Sequence, residues 1–123
     1  MATRNYTQDK SQGVDAIDLV YWTPMANGDL GSPYQYNDVA FEKMIQVDGT
    51  FGSGGTLVFE GSIDGTNWTT LKDNTGTALS VTTLFIRNVF DAPLYFRPRV
   101  SGGDGTTSLR CILMLRKQFM RVF

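Results

Sequence analysis

Apolar and polar residues alternate with a period of two along most of this chain, in short runs separated by Gly, Asn, Asp and Pro. That period places successive side chains on opposite faces and predicts strands. Asp15–Thr23 puts Ile17, Leu19 and Tyr21 on one face. Val39–Val47 aligns Val39, Phe41, Ile45 and Val47, with Lys43 interrupting. Thr56–Ile63 points Leu57, Phe59, Gly61 and Ile63 one way, and Glu60 and Ser62 the other. Asn67–Leu71, Thr77–Thr82 and Leu84–Phe90 are shorter strand candidates. In Leu94–Val100, Leu94, Phe96 and Val100 oppose Tyr95, Arg97 and Arg99. Pro98 within that run cannot donate to a ladder and predicts an edge or a bulge. Thr107–Lys117 is the longest run. Leu109, Cys111, Leu113 and Leu115 alternate there with Arg110, Ile112, Met114 and Arg116. Both faces of its middle are apolar, which predicts a central strand or one covered on both sides.

Seven to eight strands at a spacing of roughly ten residues are the pattern of an all-β sandwich or barrel, and the fold expected here is an antiparallel, jelly-roll-like β-sandwich. No segment keeps a convincing 3.6-residue period, although Val81–Val89 has room for one helical turn. The sandwich is expected over 16–116. Residues 1–15 read as an extended, polar N-terminal arm and 117–123 as a C-terminal tail. Residues 24–38, rich in Pro, Gly, Asn and Tyr, read as a long connection, and connections of that length tend to be functional.

The tripeptide Asp-Gly-Thr occurs at 48–50, 64–66 and 104–106. Asp-Gly is a strong hairpin signal, because Gly accepts positive φ and Asp tolerates the left-handed region. All three copies are expected at turns.

Composition narrows the chemistry. A chain of 123 residues makes one domain and can bury roughly two thirds of its unfolded surface. The net charge is −1, and there is no His. The first leaves no electrostatic footprint for free nucleic acid. The second removes the commonest general base and transition-metal ligand. The single Cys111 excludes an intrachain disulfide and a Cys/His metal site, and reads as a small buried hydrophobe. No disulfide is needed, which fits folding in a reducing cytoplasm. The polar start lacks the apolar stretch of a signal peptide, and no apolar run approaches the roughly 20 residues that span a bilayer. No cofactor, enzyme activity or membrane partner is expected.

Several clusters carry two readings. Ser62, Asp64 and Asn67 offer oxygen ligands, but the spacing does not match a calcium loop, and an Asx turn explains the same residues. Asp9, Asp15, Asp18, Glu42 and Glu60 are ordinary surface acids unless two face one another across a cleft. Tyr21, Trp22, Tyr34 and Tyr36 surround the long connection. They are either ligand-stacking aromatics or, for Tyr21 and Trp22, strand residues covering one end of the core. Trp68, on a strand beside a tight turn, reads as core. Arg87, Arg97, Arg99 and Arg110 form a basic patch if their strands are neighbours, or else a solvated face. The tail carries Phe119, Met120, Arg121, Val122 and Phe123. Its apolar residues need a surface to dock on, in this domain or a neighbouring subunit. Arg4 and Tyr6 are the arm residues chosen to reach a neighbour.

The stretches Ile45–Thr56, Glu60–Leu71 and Phe96–Thr107 resemble small β-sandwich virion proteins of tailed bacteriophages. The carrying motifs are Val47-Asp48-Gly49-Thr50-Phe51-Gly52, Gly61-Ser62-Ile63-Asp64-Gly65-Thr66-Asn67-Trp68 and Phe96-Arg97-Pro98-Arg99-Val100. The resemblance covers about half of the chain, and some such proteins act as capsid decoration or cement proteins. It implies a protein made in the host cytoplasm and located in the phage head. It further implies binding to the major capsid protein and to itself, as a dimer or trimer. The middle motif also resembles a hairpin of discoidin-like carbohydrate-binding domains. That likeness leaves a carbohydrate- or receptor-binding module of a tail fibre or surface protein as the alternative. The matched positions are turn and core residues, so no family binding residue carries over.

Overall fold

The structure, a computed structural model, describes residues 2–9, 17–36 and 42–116. Among these residues there are twelve strands and no helix: β1 (Thr3–Arg4), β2 (Thr7–Asp9), β3 (Ile17–Met25), β4 (Leu30–Gly31), β5 (Tyr34–Gln35), β6 (Glu42–Thr50), β7 (Thr56–Ser62), β8 (Thr69–Thr70), β9 (Ser80–Val81), β10 (Phe85–Asn88), β11 (Tyr95–Ser101) and β12 (Ser108–Arg116). Five form a sheet in the order β10-β6-β12-β3-β2. The other seven form a second sheet along β1-β4-β11-β7-β8, with β5 also on β11 and β9 also on β7. All pairings are antiparallel except β1 with β4. The chain crosses between sheets at β1 to β2, β3 to β4, β5 to β6, β6 to β7, β9 to β10, β10 to β11 and β11 to β12. That order is the jelly-roll form of the sandwich.

The core lies between the inner faces. Trp22, Phe59, Phe96, Ile45, Val47, Leu57, Leu79, Leu109, Leu113 and Leu115 are fully buried there. Trp22 stands edge-on to Phe59 at 6.3 Å, and Phe59 stacks on Phe96 at 5.9 Å. The Trp22 Nε1–H donates to Ser32 O at 2.9 Å, so the largest core side chain leaves no buried donor unpaired. Cys111 is buried and free, and burial pushes its thiol pKa well above the usual value.

Long-range pairing overrides the local pattern at several points. In β3 the buried set is Asp18, Val20 and Trp22, so Ile17, Leu19 and Tyr21 face outward. Residues 2–9 are not a free arm. β1 pairs with β4, β2 pairs with β3, and Tyr6 packs edge-on against Trp22 and Tyr34. The 24–38 connection holds β4 and β5, which both pair with β11 in the second sheet. The Thr77–Thr82 run shortens to β9 plus a bridge between Lys72 and Ala78. Pro98 belongs to a strand paired on both sides. On the β4/β5 side, Val100 N donates to Asp29 O and Leu94 O accepts from Tyr36 N. Pro98 shares their parity, so its missing N–H falls in the gap between β4 and β5, where no ladder bond is lost. Residues 10–16, 37–41 and 117–123 lie outside the described residues, and with them Phe119, Met120, Arg121, Val122 and Phe123.

Candidate functional site

The hairpin after β7 shows how local chemistry shapes the surface. Asp64 Oδ1 accepts from Thr66 N and Asn67 N at 2.8 Å, and Oδ2 accepts from Asn67 Nδ2. Those bonds, the Asn67 amide first, hold the Asp64 carboxyl well below the usual carboxylate range. Gly65 takes φ +78°. This is the Asx turn that the spacing suggested. The other two Asp-Gly-Thr copies differ. Asp48-Gly49-Thr50 lies inside β6, paired with β12, and the turn falls at Gly52 and Gly54. In the third copy Gly102 and Gly103 supply the positive φ, while Asp104 accepts from Thr106 N and Ser53 N, tying two turns together.

Most remaining acids are spent on structure. Asp29, buried, accepts from Arg4 Nε at 2.6 Å and from the Ala2 and Ala26 amides. Burial alone would raise its pKa, but these bonds outweigh burial and keep it low. Asp73 accepts from Thr75, Thr77 and Arg87. Asp48 makes a two-pronged pair with Arg110, which lowers its pKa. Among the described residues no three acids or Cys converge at metal-holding distance.

The expected basic patch does not form. β11 lies in one sheet, and β10 and β12 lie in the other. Arg97 and Arg99 both reach the buried Glu60 through their Nε atoms at 3.1 Å. Arg87 pairs with Asp73 and Arg110 with Asp48. Trp68 is outside the core. Its ring lies under the Arg97 guanidinium at 3.9 Å on the outer face of the seven-stranded sheet. Of the aromatics around the long connection, Trp22 and Tyr34 are buried. Tyr34 accepts from Gln8 Nε2, and Tyr36 lies 6.5 Å from its ring. Tyr21 faces outward from the five-stranded sheet, and Arg4 is held by Asp29.

Three of the five large apolar side chains exposed among the described residues gather at one end of the sandwich. Ile63 is 79% exposed, Phe90 67% and Leu94 37%. Ile63 keeps the parity of Leu57 and Phe59 but lies past the end of the layer that covers them. A cavity of about 410 Å³ is lined by Tyr36, Lys43, Ile63, Pro93 and Leu94. A second, of about 430 Å³, shares Lys43 and reaches Phe90. A third, of about 560 Å³, shares Ile63 and Pro93 and reaches Asp64 and Asp91. Lys43 lines the first two of these cavities and Lys72 the third. Burial lowers the Lys43 pKa, and Asp91 opposes the shift. Sequence reasoning missed Ile63 and Phe90 as surface residues. The available signal was position, since each directly precedes an Asp that ends a strand run. No family model, curated protein or solved structure matches this chain.

Proposed function

We propose that this chain is a structural protein of a tailed-bacteriophage virion, a capsid decoration protein that binds the lattice of major capsid protein and stabilises the head. The carrying observation is the apolar end formed by Ile63, Phe90 and Leu94 around Lys43. Exposed apolar side chains grouped around open cavities mark a macromolecular interface. The described acids and arginines, by contrast, are largely committed to turns and ion pairs. The motif resemblance at 45–56, 60–71 and 96–107 supplies the capsid as partner. A protein that binds only assembled subunits stabilises them by mass action. The alternative sugar- or receptor-binding reading drew on aromatics around 21–36, and Trp22 and Tyr34 of that set are core residues.

The test is co-sedimentation of the purified protein with expanded heads that lack it. Saturable binding and a raised head-disruption temperature are expected. Ile63→Asp should weaken binding at least about tenfold, as removing an interface anchor does, with an unchanged circular-dichroism spectrum. No binding to heads, together with binding to a glycan array, would overturn the reading in favour of the alternative.

A further inference from the structure

We propose that the outer face of the five-stranded sheet is the interface of a two-fold homodimer. An antiparallel sheet with one face on a core normally turns polar residues outward. Here most outward positions at mid-sheet are apolar; Gln46, between Ile112 and Ile86, is the polar exception, and its amide donates to Asp48. The ladder sets Met114 between Met44 on β6 and Leu19 on β3, and Ile112 beside Tyr21. Ile86 on β10 extends the belt and is 62% exposed. A shallow cavity of about 280 Å³ runs among these side chains. The opposite face of the molecule is built differently, from Glu60, Arg97, Arg99 and Trp68 in paired contacts. The apolar belt is therefore a property of one sheet and not of the fold. β12, apolar on both faces in sequence, is central in its sheet but covered on one side only.

The occupant is a second copy, on grounds of area and charge. Three strands of nine residues, with the four of β10 and the three of β2, at about 4.8 Å spacing and about 3.3 Å rise give a face of roughly 540 Å². Two such faces together bury roughly 1,100 Å², just above the about 1,000 Å² that a specific interface needs. Charges frame the belt and close on themselves. Arg110 pairs with Asp48 at one end, and Arg116 pairs with Glu42 at 3.4 Å at the other. Both ends are locally neutral. A two-fold axis in the interface plane thus lays the belt on itself without opposing like charges. An apolar centre with a polar rim is the anatomy such interfaces have. The inference stands apart from the capsid reading, because its anchors Ile86 and Ile112 lie outside the cavities of the apolar end and it needs no head.

Sedimentation equilibrium on the intact chain tests it. We expect a dimer with a dissociation constant near or below about 10 μM. Ile86→Arg and, separately, Ile112→Arg should weaken it at least tenfold while thermal midpoints stay close to the parent. Ile86→Arg alone suffices if Ile112→Arg misfolds, since the Ile86 side chain is largely solvent-exposed. A monomer at about 100 μM would overturn the proposal. So would a dimer that survives Ile86→Arg yet dissociates on Phe119→Asp with Phe123→Asp, which would assign self-association to the tail. A monomeric protein whose Ile112→Arg variant loses head binding would also overturn it, by giving the face to the capsid.

Discussion

Gly65 and Gly105 occupy the same place in identical tripeptides, yet the backbone treats them differently. Gly65 sits at φ +78°, whereas Gly105 is not among the positive-φ glycines, and a Cβ there meets nothing within 4 Å. Gly65→Val should cost about 2 kcal/mol, because a β-branched residue is forced into the left-handed region. Gly105→Val should change stability by less than about 0.5 kcal/mol. Urea midpoints compare the two, and equal costs would remove the distinction. Tyr34 offers a pH test. Burial, with Asp18 nearby, pushes its phenol up to about 12 from an ordinary value of 10.0. The folded chain then holds a proton that the unfolded chain has released. Its contribution is intact below about pH 10 and is lost as pH rises toward 12, by up to about 3 kcal/mol. Tyr34→Phe should flatten the fall in stability between those pH values. Parallel curves for parent and variant would refute this.

At the scale of elements, two-residue strands hold the N-terminal segment. β1 and β4 are too short to persist alone. They are joined by Leu30 N to Ala2 O at 2.9 Å, Ser32 N to Arg4 O at 2.8 Å, and the Asp29 carboxylate gripping Ala2, Arg4 and Ala26. Asp29→Ala removes the acceptor common to all three and should cost about 1–3 kcal/mol. Amide exchange resolves where the loss falls. Leu30 and Ser32 should exchange at least about tenfold faster than in the parent, as for a local opening, while the β6–β12 ladder amides keep their relative protection. Uniform loss of protection would instead show that the N-terminal segment is integral to global unfolding.

On the scale of the whole molecule, the two surfaces make separable demands. The apolar end around Ile63 and Phe90 and the belt around Ile112 and Ile86 meet at β6, which gives Lys43 to the one and Met44 to the other, but their exposed anchors are distinct. Under the two proposals, Ile63→Asp should lower head binding and leave the dimer intact. Ile86→Arg should dissociate the dimer and weaken head binding only through lost avidity. A variant pair in which both properties fall together would mean one continuous interface.

Strand identity was legible in the chain because burial on one side of a pleated sheet imposes a period of two. The alternation of Leu57 with Glu60, or of Leu109, Cys111, Leu113 and Leu115 with their neighbours, needs no tertiary information. The Asx turn at Asp64 was legible for the same reason, since its bonds span only three residues. Which face turned inward was not. In β3 both alternating sets hold large apolar residues, and pairing with β12 and the docking of Trp22 under Ser32 chose the set containing Val20 and Trp22. The partition of strands between sheets was equally invisible. It separated Arg97 and Arg99 from Arg87 and Arg110 and gave each an acid distant in sequence. Local periodicity records only that a residue has a buried or an exposed side. The layer that covers a side, and the point where that layer ends and leaves Ile63 in water, are set by contacts between segments far apart in the chain.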